Sequence, residues 1–554
     1  MSALPKNLPD LLRRRLDEHV DRSAELGVVV GGSISRGLSV KLNPDVNIEE
    51  LAVGRYVVVH GDHKRYFCMV SDITLDSTNA GVESDPPDIS DPFLKAVYMG
   101  TIAYSVITIT PMLIIDDVEG NQPVKTIPPH FTKVMTATEA DVDAVFGAES
   151  DRHFHVGAPL ELQNTRINLD LKRLVERSTG VFGKSGTGKS FLTRLILAGV
   201  IQRNVGQTLI FDMHNDYGWQ ATSEGESKVK GLKQLFPSKV TLLSLDEASS
   251  AKRQSNPDFI VKIGFNEIEP EDVAMLKATM NLSDTMIDAA YTLAKIWKSE
   301  WVHKCINASA EDIDQIGQTT SVLSGTFIGL QRRLQRFERW GFLVRHTDTS
   351  SVRDILDRIL NHRQSIVLEF GRFGNELDAY MLVANFLTRR IHEHYIQLTD
   401  KSIGDGTPKP PTLVITIEEA HKFLEPQVAR QTTFGIIARE MRKYSVTLLV
   451  VDQRPSAIDD EVMSQIGTRV TCLLDNERDI NAVLNGISGA ASLREVLARL
   501  ETKQQAIVMG HAVPMPVVMK PRDYNEEFYR SLGEEKPQAE NSRTMLNGRS
   551  KPRI

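Results

Sequence analysis

Two textures of hydrophobic patterning divide this chain. From residue 25 to about 150, short apolar runs are punctuated by Gly, Pro, Asn and Asp. Gly27-Val28-Val29-Val30, Tyr56-Val57-Val58-Val59, Tyr66-Phe67-Cys68-Met69-Val70 and Ile102-Ala103-Tyr104-Ser105-Val106-Ile107 read as strands. Short strands with turn signals between them predict a small β-barrel or sandwich. Beyond residue 155 the apolar runs alternate with helical patterns instead. Ser178–Phe182, Gln207–Asp212, Val240–Leu245, Ser365–Phe370, Thr412–Glu419, Val446–Val451, Thr468–Leu474 and Gln505–Gly510 are strand runs. Strands alternating with helices predict a parallel sheet covered on both faces.

Between residues 266 and 345 the period is helical with no strand, which predicts a helical insertion inside the α/β unit. The expected organisation is therefore an N-terminal helix (1–24), a β-barrel domain (25–155) and an α/β domain (156–265 and 346–532). The insertion (266–345) interrupts that domain, and a polar flexible tail (533–554) follows it. Helices are expected over Leu377–Tyr395 and Thr433–Tyr444, with Lys401–Pro411 as a Gly/Pro-rich surface loop.

The chemistry starts at Gly183-Lys184-Ser185-Gly186-Thr187-Gly188-Lys189-Ser190, which fits G-x-x-x-x-G-K-[ST] without mismatch. A strand candidate precedes it and the helical run Phe191–Ala198 follows. Backbone N–H groups and a helix N-terminus then converge on one point, as phosphate binding requires. In that context Lys189 reaches the β- and γ-phosphates of a nucleotide, and the Ser190 hydroxyl joins a Mg²⁺ shell.

A second element is the strand run ending in Glu418-Glu419. One carboxylate there can support the metal while its neighbour polarises the attacking water. Gln453, just past another strand end, can sense a γ-phosphate or the lytic water by hydrogen bonding. Asp212 and Asp216 flank the loop Met213-His214-Asn215-Asp216, at the strand end that ligands favour in open α/β sheets. Asp216 alternatively caps that turn. A phosphate loop first and an acidic strand end later define a RecA-like P-loop ATPase core.

Composition narrows the partners. A chain of 554 residues exceeds one ordinary core. Its formal charge of −7 argues against a generally basic coat but leaves a local basic channel open. The most basic run, Gln331–Trp340, reads either as a phosphate contact or as a solvated helix face paired with acids. Three scattered cysteines provide neither a CxxC zinc site nor a disulfide framework and fit a reducing cytoplasm. The polar cluster His60, Asp62 and His63 reads as a hairpin turn rather than a metal site. The apolar run nearest to membrane length, Val106–Ile115, is broken by Pro111.

Taken together, Gly183–Ser190, Phe211-Asp212-Met213-His214-Asn215-Asp216-Tyr217, Ile417-Glu418-Glu419-Ala420-His421, Arg442-Lys443-Tyr444 and Gln453-Arg454-Pro455 resemble the HerA branch of the HerA/FtsK ATPases. The resemblance covers nearly the whole chain. It implies homo-hexameric rings that move double-stranded DNA with ATP and Mg²⁺, and the cysteine usage and absence of a membrane-length run add a cytoplasmic location with no membrane partner.

It also implies a separate partner, a NurA-like nuclease or a sirtuin-like or other defence effector, since no nuclease cluster is visible here. Carried over by residue, Lys189 and Ser190 bind phosphate and Mg²⁺, Glu418 assists the metal, Glu419 is the base and Gln453 the sensor. Arg442 is the arginine supplied to a neighbouring subunit, with Arg439 second. Departures are Glu418 for the commoner Asp, Asp216 for Glu and Asn215 for Gly. Two other readings are a scaffold that controls a toxic effector and a conjugation- or secretion-type ATPase.

Overall fold

The computed structural model describes residues 25–533, except 89, 91–96, 99–101, 117–119, 161, 163–164, 223–227, 430–431, 441–442, 488–489, 499 and 501–504. The helix expected over 1–24, the tail beyond Gly533 and Arg442 lie outside the described residues.

Six strands close into an antiparallel barrel: β1 (Glu25–Ser33), β2 (Gly37–Leu42), β3 (Tyr56–His60), β4 (Arg65–Ser77), β5 (Ala103–Ile115) and β6 (Lys133–Thr136). They pair in the order β1-β2-β5-β4-β3-β6, with β6 returning to β1. The strands β3 and β4 lack apolar–polar alternation because both of their faces are covered. Val57, Val59, Cys68 and Val70 fill the barrel interior with Ile107 and Ile109. Tyr56, Val58, Phe67 and Met69 point the other way and join the larger core that the rest of the chain builds. The Tyr56 hydroxyl receives the Val518 N–H at 2.9 Å, which ties the barrel to the sheet beyond it. His60, Asp62 and His63 sit at the β3–β4 turn, where the Gly61 N–H donates to the Lys64 carbonyl. No metal-binding group of His, Cys, Asp and Glu occurs among the described residues.

The remaining strands are β7 (His153–Ala158), β8 (Ile167–Asp170), β9 (Thr179–Phe182), β10 (Gln207–Asp212), the small hairpin β11 (Gln220–Thr222) and β12 (Lys228–Lys230), β13 (Val240–Ser244) and β14 (Phe259–Ile260). After β15 (Ile263–Gly264) and β16 (Leu343–Val344) come β17 (Ser365–Glu369), β18 (Leu413–Glu418), β19 (Val446–Asp452), β20 (Thr468–Thr471), β21 (Ala506–Gly510) and β22 (Val517–Pro521). Twelve of them form one sheet, ordered β14-β13-β17-β10-β18-β19-β9-β20-β21-β22-β7-β8. It is parallel from β14 to β20 and antiparallel from there to β8. Fully buried runs such as Leu413–Glu418 and Val446–Asp452 are what a sheet covered on both faces demands.

Between β15 and β16 the described chain is helical, including Asp284–Trp297, Trp301–Asn307, Ala310–Thr319 and Ser324–Leu334. These pack around the buried Trp301, Phe327, Leu330 and Phe337. Because β15 pairs with β16, the chain leaves and re-enters at one place. Two arginines of the basic run are occupied there. Arg333 Nε donates to the Met280 and Asn281 carbonyls, and Arg336 pairs with Asp378 at 2.7 Å.

One expectation needs correction. The helix beginning at Leu377 continues to Asp405, through residues expected to start a loop. Gly406, at φ 73°, ends it in the left-handed conformation that an L side chain resists. No helix among the described residues is long and apolar enough to cross a membrane.

Candidate active site

Strand register assembles the site before any side chain is considered. Asp212 pairs with Glu369, Phe211 with Ile417, Glu418 with Val451 and Asp452 with Phe182. The carboxyl ends of β17, β10, β18, β19 and β9 therefore share one rim, and the phosphate loop leaves from it.

The loop turns through Gly183, Gly186 and Gly188, at φ 154°, 76° and 93°. Gly183 is sterically required as well, because a Cβ there would stand 2.8 Å from the Cys472 Cβ. The Gly183 N–H donates to the Asp452 carbonyl and the Lys184 N–H to Leu473, which anchors the turn to both neighbouring strands. Thr187 Oγ1 and Lys189 Nζ both donate to the Lys184 carbonyl, at 2.7 and 2.8 Å, and Lys184 Nζ meets Asp475 at 2.5 Å. Burial lowers the Lys189 pKa, while the rim carboxylates support its charge. Helix Lys189–Gln202 starts here, with Gly188 as its N-cap and no side chain capping the first turn. Its leading N–H groups face a cavity of about 290 Å³.

Ser185, Gly186, Gly188, Lys189 and Ser190 line that cavity on the loop side, and Glu418, Glu419 and Gln453 on the other. Glu418 is buried, and Tyr217 donates its hydroxyl to Oε1 at 3.0 Å. Oε2 has no hydrogen-bond partner among the described residues. Burial, reinforced by Asp212, pushes the Glu418 carboxyl up to about 8. Asp212 is pushed to about 7, by burial and then by Glu369. Asp212 accepts three backbone N–H groups, from Asp216, Tyr217 and Gly218 at 2.7–3.0 Å. Three donors favour charge on Asp212, so we place the proton that the pair retains near neutrality on Glu418.

Glu419 differs from its neighbour in every respect. Its φ is 48°, an uncommon value for a residue with a side chain. That turn swings the carboxylate off the strand axis into the cavity, where Gln453 Nε2 donates to Oε1 at 3.0 Å. His421 Nδ1 lies 3.7 Å from Oε2. The same ring nitrogen donates to Asp452 at 2.9 Å, and the His421 backbone N–H does so at 2.7 Å. The hydrogen bond to Asp452 raises the His421 pKa. Burial opposes charge on Asp452, yet His421 and the Arg454 N–H hold its carboxyl below the ordinary range. The arrangement offers a cradle for phosphate, a buried carboxyl with one free oxygen, and an oriented base next to both.

With that geometry in view, comparison with known proteins is informative. Residues 154–391 match the family model described as "Helicase HerA, central domain". The DNA double-strand break repair helicase HerA of Pyrococcus furiosus is 23% identical over 540 residues, covering 90% of this chain and 92% of that protein. Its namesake from Sulfurisphaera tokodaii is 23% identical over 506 residues, covering 89% and 92%. The chain carries a HerA-type central domain and is similar to HerA helicases over nine-tenths of its length. It is a P-loop ATPase, an ATP-hydrolysing enzyme. Among solved structures, the bacterial conjugative coupling protein TrwB in its sulphate-bound trigonal form overlays with a TM-score of 0.46 at 13% identity, covering 70% of this chain and 93% of TrwB.

Within this HerA-like site, the residues expected from sequence separate into groups. Gly186, Gly188, Lys189, Ser190, Glu418, Glu419 and Gln453 converge on the cavity, and His214 and Asp216 line it too. Asp212 lies beneath the loop and secures its backbone; capping falls to Asp212, and Asp216 faces the cavity. Arg439 is held by Glu461 at 3.2 Å. Phe191, Arg194 and Asp452 also line the cavity, although sequence reasoning assigned them no role. A signal for Arg194 was present: apart from Lys189, it is the only charge in helix Lys189–Gln202, and every residue from Leu192 to Ile201 is buried. A larger cavity of about 630 Å³ borders Lys262, Asp354, Arg358 and His362. There His362 pairs with Asp357, and Arg358 with Gln364.

Proposed function

We propose that this HerA-like ATPase is a motor that moves double-stranded DNA as a homo-hexameric ring. In this reading it works with a separate nuclease or defence effector. The observation that carries the ATPase chemistry is the pairing of two unlike carboxylates, Glu418 and Glu419, opposite the phosphate loop. The orphaned Oε2 of Glu418 fits a divalent cation, because a metal ion relieves a buried carboxyl that lacks a partner. Ser190 and Glu418 would hold Mg²⁺ with ATP, and the ion would neutralise charge on the transferring phosphoryl group. Lys189 would hold the β- and γ-phosphates. Glu419, oriented by Gln453 and supported by the His421–Asp452 pair, would accept the proton of the attacking water. Arg442 would reach the neighbouring subunit's nucleotide, with Arg439 second.

Support for DNA as the substrate comes from the relatives called DNA double-strand break repair helicases, aligned over nine-tenths of the chain. ATP turnover by the purified chain, measured with and without duplex DNA, tests the motor reading. We expect strong stimulation by DNA, and loss of it in Lys189→Ala and Glu419→Gln. Turnover that ignores DNA would replace the motor with a scaffold that controls an effector.

A further inference from the structure

We propose that Arg194 reads the phosphate chain of the nucleotide from within the same subunit, and so adds a binding residue outside the loop motif. The inference rests on the nucleotide reading above and goes beyond it. Arg194 is 2% exposed, yet its Nε and Nη1 have no hydrogen-bond partner among the described residues. A guanidinium cannot shed its charge as a lysine or carboxyl does, so burying it without an acceptor is costly. Such a cost persists where a ligand supplies the missing counter-charge.

The surroundings show where that ligand enters. Arg194 lines the cavity of Lys189, Ser190 and Glu418. It stands four residues after Ser190, on the same helix face, and helical side chains lean toward the N-terminus. The guanidinium therefore inclines toward the phosphate loop. Its guanidinium carbon lies over two aromatic rings, centred 5.1 Å away for Phe191 and 5.9 Å for Tyr217. Tyr524 stands edge-on to Phe191 at 6.3 Å and backs this collar. The rings stabilise the cation, but they provide no hydrogen-bond acceptor for the unpartnered Nε and Nη1. A phosphate oxygen in the cavity would supply that acceptor, and the guanidinium fork matches phosphate geometry. Packing alone would be served as well by an uncharged side chain of the same length.

Isothermal titration of the full chain with Mg-ATP and, separately, inorganic tripolyphosphate distinguishes the two roles. Arg194→Met keeps the length and removes the charge. Losing charge-assisted hydrogen bonds should weaken both ligands by about tenfold to a hundredfold. Arg194→Lys should recover part of the loss. Without ligand, Arg194→Met should melt at the wild-type temperature or above, because a buried unpaired charge has gone. Affinities of Arg194→Met within twofold of wild type would overturn the proposal, as would a loss seen with ATP and not with tripolyphosphate. If Arg194→Met does not fold, wild-type affinity in Arg194→Lys for both ligands would overturn it instead, since Lys lacks the fork. Lys189→Ala serves as the control: wild-type ATP binding there would remove the nucleotide reading itself, whatever Arg194 does.

Discussion

The barrel and the rim of the parallel sheet use the same strand geometry to opposite ends. In the barrel, closure leaves no strand edge exposed, and both faces of β3 and β4 meet apolar groups. Its ionisable residues His60, Asp62, His63 and Lys64 sit at the β3–β4 turn, open to water. At the rim, register gathers Asp212, Glu369, Glu418 and Asp452 at neighbouring strand ends and buries all four. Burying carboxylates side by side works against folding. The contrast shows where this chain invests stability and where it gives stability up for chemistry.

The largest effect expected from that contrast lies in the barrel. Ile109 is fully buried in its interior. Ile109→Ala should cost about 2–5 kcal/mol of stability through lost burial and a residual cavity. ATP turnover per folded molecule should hold at temperatures where the variant remains folded. Denaturant unfolding alongside an ATPase assay checks both halves; a fall in turnover at full folding would mean that the barrel acts on the rim.

A smaller and opposite effect is expected at the rim. Glu419 holds φ 48°, a left-handed value that a side chain makes unfavourable and glycine does not. Glu419→Gly should stabilise the fold by up to about 1 kcal/mol while abolishing turnover. Destabilisation instead would show that the hydrogen bond from Gln453 outweighs the backbone strain.

How much of this was readable in advance follows from the same contrast. The parallel strands were legible because a strand buried on both faces appears as an unbroken apolar run, as in Leu413–Glu418 and Val446–Asp452. The barrel strands β2 and β6 were not, because Gly37–Leu42 and Lys133–Thr136 are short and mix polar with apolar residues. Their assignment rests on partners distant in sequence, Ile109 and Val59 among them. The phosphate loop and Glu418-Glu419 were legible since their spacing carries the chemistry. The division of labour between Asp212 and Asp216 was not. It depends on how the loop coils back over the strand end, with three N–H groups turned onto one carboxylate. Arg194 escaped for a related reason: a single charge in an apolar helix reveals its burial, but not what it faces.

The smallest effect concerns a single proton. The Glu418 carboxyl is pushed up to about 8 by burial and by Asp212, against about 4.3 for a solvated glutamate. Between those values the native chain holds a proton that the unfolded chain has released. Stability from this group is therefore fully present below the lower value and falls as pH rises through the upper one. A divalent cation bound at Oε2 must displace that proton. Binding of Mg-ATP at pH 7 should then release up to about one proton, and the release should vanish well above pH 8. Calorimetry in two buffers of different ionisation enthalpy counts it directly. Glu418→Gln should bind Mg-ATP without this release and should flatten the decline of stability toward alkaline pH. Equal proton counts in the two proteins would move the retained proton to Asp212. The rim would then keep its neutral carboxyl beneath the loop rather than at the cavity wall, and Glu418 would face the cation already charged.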